Sequence, residues 1–269
     1  RVVVHLDVYG EDDRGRPRGA VFVAPFGVED GGTEEEGRPN ATEDDASGSL
    51  AGYPLSLEVH SGDVERRART FARSAGLPDD RVEDLALAGY LHDAGKLDAR
   101  FQGWLRFGDP LGGADIDDPG TILAKSGRPL PRNARVASDL PGHWRHEALS
   151  VRLAMLSARF ADARDPDLVL WLVGTHHGHG RPFFPHVDDA DDRPRRLPAL
   201  LGLPAELPAG PGPQSLAFNW NGLDWPALFV RLKARYGVWE LARMEAILRL
   251  ADHRASADAQ SNAQGDEER

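Results

Sequence analysis

Two segments of this chain stay apolar for about three helical turns and then stop on a pair of proton- or metal-binding side chains. In the first, Val82, Leu85, Ala86, Ala88, Gly89 and Leu91 lead to His92-Asp93. In the second, DLVLWLVGTHH over 167–177 ends on His176-His177, just before Gly178. A helix that is apolar almost all round belongs at the centre of a fold. Both pairs are therefore expected at the buried ends of central helices. Burying an imidazole or a carboxylate without a partner costs several kcal/mol, so each pair must face something that uses it.

Three further patches share this character. Val64, Ala68, Phe71, Ala72 and Ala75 recur at helical spacing, with His60 ahead of them and Gly76 and Pro78 behind. His146, Leu149, Ser150, Leu153 and Leu156 mark another helix, and Asp252 lies on the stripe of Leu241, Met244, Leu248 and Ala251. A shared metal centre would satisfy His60, His92, Asp93, His146, His176, His177 and Asp252 together. The chain has no Cys, which excludes disulfides, thiolate zinc sites, iron–sulfur clusters and Cys nucleophiles. The ligands must be nitrogen and oxygen. Such a set suits Mn, Fe, Co or Ni, admits Zn, and suits Mg less well.

Asp93 is the natural bridge, because a carboxylate can join two cations and this one ends the most apolar helix. Two divalent ions ~3.5–4 Å apart can activate a water and stabilise the leaving oxygen of a phosphodiester. Phosphoester hydrolysis is therefore the expected chemistry. Lys96 lies one turn beyond His92, so a helical continuation would aim its ammonium at the same site, where it could neutralise charge on the reacting phosphate. Asp93 and Lys96 are the expected catalytic residues.

Each residue also has a plainer reading. His92-Asp93 could be a polar helix end. His176-His177 could be a C-capping pair favoured by the helix dipole. Asp252 could pair with Arg249 or Arg254, His60 could precede a Ser61 cap, and Lys96 could be solvated. His143 competes with His146 but follows Pro-Gly ahead of the helix. His179 reads as a substrate-contacting or solvated residue, and His5, His186 and His253 as structural or surface residues. Arg145 and Arg181 flank ligand positions and are weaker candidates for phosphate contacts. Trp104 and Phe107 read as core.

These motifs resemble a known family. LHDAGKLDARFQ (91–102) carries the HD-superfamily signature, and its Phe-Gln is the form seen in the HD nuclease of type I CRISPR systems. HSGDV (60–64), WRHEALS (144–150), THHGHGRP (175–182) and LADHRAS (250–256) look like that family's other motifs, in the family's order. A lone His-Asp pair would be weak support, whereas the ordered series over His60–Ser256 is strong. The resemblance implies one metal held by His60, His92, Asp93 and Asp252, and a second held by Asp93, His146, His176 and His177. It also implies a catalytic Lys96, single-stranded DNA as substrate, and a helicase and CRISPR effector complex as partners. The expected fold is all-α, an HD-superfamily helical bundle with a small N-terminal β element.

Four regions are expected. Residues 1–27 read as a β-hairpin or the end of a preceding domain, from the runs Val2–Val8 and Ala20–Phe26. Residues 28–57 read as an acidic flexible linker, with eight acids against one base in 28–50. Residues 58–256 form the HD domain, and 257–269 a disordered tail. In the resembled family the nuclease usually precedes a helicase and in one subtype follows it. Strands and a linker ahead of His60, together with an Arg at the first position, fit the second arrangement. The chain has no GxxxxGK[ST], hence no ATPase motor of its own.

The net charge of −11 argues against nucleic acid less than it seems, because much of it lies in 28–50. Lys125, Arg128, Arg132, Arg135 and Arg145 make one basic run, read equally as a phosphate-attracting patch or as surface arginines. No apolar run approaches the ~20 residues of a membrane helix, and no signal peptide is present. A cytoplasmic protein is expected. The same site could instead serve an HD phosphohydrolase of nucleotides or cyclic dinucleotides, or be a catalytically silent DNA-binding or docking module.

Overall fold

The computed structural model describes residues 5–11, 17–23, 54–106, 118–126, 130, 134–141, 144–183, 195–207, 219–220 and 223–267. Most of the predicted linker, Phe107, His143 and His186 lie outside these residues. The predicted N-terminal hairpin is present: β1 (His5–Glu11) pairs antiparallel with β2 (Pro17–Val23), with His5 opposite Val23.

The rest is helical. Strand β3 (Leu55–Ser56) leads directly into α1 (Leu57–Ser74). Ser56 caps that helix by accepting a hydrogen bond from the Val59 amide at 3.4 Å. The cap is therefore Ser56 rather than Ser61, which is buried, and His60 falls inside the helix. Gly76, at φ +75°, ends α1, with the Gly76 amide on Arg73 O and the Leu77 amide on Ala72 O. This is the left-handed stop that glycine allows.

Helix α2 (Asp79–Leu91) follows, then a 3₁₀ turn at Ala94–Leu97 and α3 (Ala99–Leu105), capped by Asp98. Strand β4 (Leu123–Lys125) pairs with β3, placing Lys125 opposite Leu55. After the short α4 (Ala134–Ala137) come α5 (His146–Ala154) and α6 (Pro166–Thr175). Two small antiparallel pairs follow, β5 (Arg195–Arg196) with β6 (Glu206–Leu207) and β7 (Asn219–Trp220) with β8 (Leu223–Asp224). The last helix, α7 (Trp225–Glu267), breaks at Gly237 (φ +76°) into two arms. Its second arm runs past Ser256 to Glu267, where the sequence reading expected a disordered tail; no Pro interrupts that stretch.

The core lies where α1 packs on α2 and α7, and α6 packs on α2, α5 and α7. Trp171 of α6 stacks on Trp225 of α7 with ring centroids 5.2 Å apart. Each indole finds a polar partner, Glu245 for Trp171 and Gly180 O for Trp225. A Cβ on Gly174 would lie 2.2 Å from the Trp225 ring, so only glycine lets α6 and α7 approach this closely. The hydrogen bond from Trp171 to Glu245 ties α6 to the second arm of α7 as well.

Candidate metal centre

Five helical elements deliver the predicted residues to one buried point. His60 comes from the start of α1, and His92 caps the end of α2. Asp93 follows with φ −99° and ψ 8°, His146 opens α5, His176 caps α6, and Asp252 projects from α7. His60, His92, Asp93, His146, His176 and Asp252 are all buried, and His177 is partly so.

The geometry is organised around Asp93. Its Oδ2 lies 3.4 Å from Nε2 of both His60 and His92. Its Oδ1 lies 3.1 Å from His146 Nε2 and 3.8 Å from His176 Nε2. Asp252 Oδ1 sits on the first side, 3.1 Å from His60 Nε2 and 3.9 Å from His92 Nε2. His177 sits on the second, its ring 4.2 Å from that of His176 and 5.1 Å from that of His146. Among the described residues, ligand atoms lie within 4.8 Å of one another in three trios: His60–His92–Asp252, His146–His176–His177 and His92–Asp93–His176.

The imidazoles are set up as donors to a cation. His92 Nδ1 is 2.7 Å from Gly89 O, and His176 Nδ1 is 2.7 Å from Val173 O. A carbonyl accepts only from N–H, so the proton sits on Nδ1 and the Nε2 lone pair faces the cluster. Neither nitrogen of His60, nor His92 Nε2, nor either Asp93 oxygen makes a well-aligned hydrogen bond, although carboxylate and imidazole atoms lie close by. Buried polar atoms left this way need another partner. A divalent cation fits this donor set of imidazole nitrogens and carboxylate oxygens.

Protonation states agree. Burial pushes His60 down to about 4. Burial and neighbouring imidazoles push His176 and His177 well below the ordinary imidazole value. Burial would raise Asp93, but His92, Lys96 and His146 outweigh it and hold its carboxyl well below the usual range. Asp252 behaves alike: burial raises it, and Lys125 with His60 and His92 overrides that. Near neutral pH His60, His176 and His177 are neutral imidazoles and Asp93 and Asp252 are ionised carboxylates, the forms that bind metal.

The family model for the Cas3 HD domain matches residues 55–264. The chain belongs to the Cas3 HD-domain family. No curated protein and no solved structure matches it. The observed helical fold is that of an HD domain, and the Cas3 HD match covers every residue of the cluster.

Lys96 reaches the Cas3 HD cluster by a route other than the one expected. Helix α2 ends at Leu91, and Lys96 stands on the 3₁₀ turn. Its Nζ lies 2.9 Å from Asp93 Oδ2 and donates to Ala124 O at 3.1 Å. Gly95 makes the turn possible. A Cβ there would lie 2.0 Å from His146 O and 2.8 Å from the Ser150 amide. Glycine thus lets the turn lie on the start of α5, where the Gly95 amide donates to Ser150 Oγ at 2.8 Å.

The basic run is not a free surface where it is described. Lys125 is buried, Arg145 is buried against Glu147 at 2.8 Å, and Arg135 donates to Pro141 O and Trp144 O. Arg181 pairs with Glu245 at 2.7 Å. Both arginines considered for phosphate thus have carboxylate partners. Trp104 is core and His253 is exposed, as expected. The sequence reading missed Gln102 and Lys125. Buried Gln102 donates to Lys96 O and Leu123 O and accepts from the Leu123 amide, tying the Lys96 turn to β4. Its only sequence signal was the Phe-Gln after the HD motif.

Proposed function

We propose that this domain is a cytoplasmic, metal-dependent endonuclease that cleaves single-stranded DNA during CRISPR interference, working with a helicase and an effector complex. The observation that carries the reading is the division of Asp93: one oxygen faces His60 and His92, and the other faces His146 and His176. On this reading His60, His92, Asp93 and Asp252 would hold one divalent ion, and Asp93, His146, His176 and His177 a second. Mn, Fe, Co or Ni suit such ligands best, with Zn and Mg also compatible.

Bound there, two divalent ions would supply Lewis acidity for activating water and for stabilising the departing oxygen of a phosphodiester. The protein does the rest by orientation and charge. Asp93 keeps the two histidine sets in fixed relation. Lys96 orients Asp93 and offers a buried ammonium to the phosphate as negative charge develops on it. The Gly89 and Val173 carbonyls hold the His92 and His176 rings in the tautomer that points Nε2 inward. Low effective dielectric around the buried cluster strengthens each of these effects.

The test is nicking of circular single-stranded DNA by the purified chain with Mn²⁺. Wild type is expected to nick it, and Asp93→Ala to lose cutting while keeping its helical circular dichroism. A folded Asp93→Ala variant that cuts at the native rate would overturn the site assignment. Turnover of nucleotides or cyclic dinucleotides without nicking would move the substrate from a polymer to a small phosphoester.

A further inference from the structure

Six of the seven ligand residues are buried, and His177 is partly exposed. The next residue, Gly178, is exposed. The centre therefore opens to solvent beside His177 and Gly178, and a substrate enters there.

Two arginines stand over that opening. A Cβ on Gly178 would lie 3.1 Å from Arg249 Nη1 and 3.8 Å from Arg181 Nη2. Glycine, at φ +84°, leaves room for both guanidinium groups. Arg181 is anchored: it donates to Gly178 O at 2.9 Å and pairs with Glu245 at 2.7 Å, and Glu245 also accepts from Trp171. Arg249 comes from the second arm of α7, three residues before Asp252. Side chains three apart are neighbours on a helix surface, so the helix that supplies one ligand also sets this guanidinium at the edge of the centre. Lys96 is buried, whereas Arg249 is partly exposed and within reach of a polymer.

A planar guanidinium matches phosphate oxygens with two parallel N–H donors. The ligands and Lys96 surround the place of the reacting phosphate. Arg249 stands outside them, over the residue that follows His177, where it meets a neighbouring phosphate of the same strand.

We propose that Arg249, beside Arg181, anchors the phosphate flanking the scissile one in a single-stranded DNA substrate, so that the centre favours a polymer over a small phosphoester. This rests on the nuclease reading above. A plainer role, neutralising the carbonyl end of α6, would show as lost stability with KM unmoved.

The experiment is steady-state nicking of circular single-stranded DNA by the full chain with Mn²⁺ at several salt concentrations. Wild type is compared with Arg249→Gln, Arg249→Ala, Arg249→Lys and, as a control for general charge loss, Arg254→Gln, an exposed position on the same arm. Circular dichroism checks folding, calorimetry measures Mn²⁺ affinity, and bis(p-nitrophenyl) phosphate serves as a diester with no flanking phosphate. The two neutral Arg249 variants are expected to raise KM for the circle about tenfold, with kcat and Mn²⁺ affinity within about twofold of wild type. Their plot of log kcat/KM against log salt should flatten by about 0.7, one single-strand phosphate contact. The Lys variant should recover most of the loss. Turnover of bis(p-nitrophenyl) phosphate, and nicking by Arg254→Gln, should stay near wild type. An unmoved KM and salt slope in whichever neutral variant folds would overturn the proposal. So would an equal rise in Arg254→Gln, or an equal loss on bis(p-nitrophenyl) phosphate. If wild type nicks no circle, the nuclease reading falls and this inference falls with it. Wild-type nicking with unaltered Arg249 variants removes this inference alone.

Discussion

At the scale of single residues, the site depends on side chains held in one protonation state. His60 is pushed down to about 4 by burial, from an ordinary value of 6.5, and His176 and His177 lie well below theirs. A histidine lowered on folding binds fewer protons in the native state than in the unfolded one. Its stabilising contribution is present above about pH 6.5 and is lost as pH falls through 4. Asp84 acts in the opposite sense. Burial pushes it up to about 6 while it accepts from the Arg164 and Asp165 amides, so it adds stability as pH falls from about 6 towards 3.8. Glu245, which burial also raises, acts in the same sense as Asp84, and the three histidines outweigh the two carboxyls. Chelator-stripped protein should therefore have a lower urea midpoint at pH 5 than at pH 7, with His60 alone worth on the order of 2 kcal/mol. An equal or higher midpoint at pH 5 would contradict the buried, neutral state of these rings.

At the scale of elements, the close approach of the 3₁₀ turn to α5 sets the distance from Asp93 to His146. Gly95→Ala would drive a Cβ into the His146 carbonyl. The backbone must yield there, at a cost of about 3 kcal/mol. The variant should melt well below wild type and bind less Mn²⁺ per folded chain, read by calorimetry and elemental analysis. An unchanged melting temperature and full metal content would show that the turn does not need this contact. The long helices were legible because α2 and α6 are apolar almost all round and end on their ligand pairs. The turn was not, because HDAGKL carries no proline and a single glycine does not by itself end a helix; its geometry comes from packing on α5. Lys125 was equally hidden. Its strand is three residues long and belongs to a run whose arginines resemble surface charge. What places it is pairing with Leu55 and the clasp of Gln102, neither of which leaves a periodic trace.

At the scale of the whole molecule, the bundle brings together residues separated by as much as the interval from His60 to Asp252. No single helix carries more than part of the set, so the site exists only when α1, α2, α5, α6 and α7 are packed. The tryptophan stack between α6 and α7 and the glycine contacts at 95 and 174 are what make that packing tight. The motif order across the chain makes the HD class legible from the sequence alone. Among the described residues, no helix is long and apolar enough to cross a membrane. The most direct measurement of the central claim is anomalous diffraction from crystals of the full chain soaked in Mn²⁺. Two peaks should appear, one among His60, His92 and Asp252 and one among His146, His176 and His177, with Asp93 between them. Crystals that hold Mn²⁺ elsewhere, or nowhere, while these side chains keep their places would contradict it.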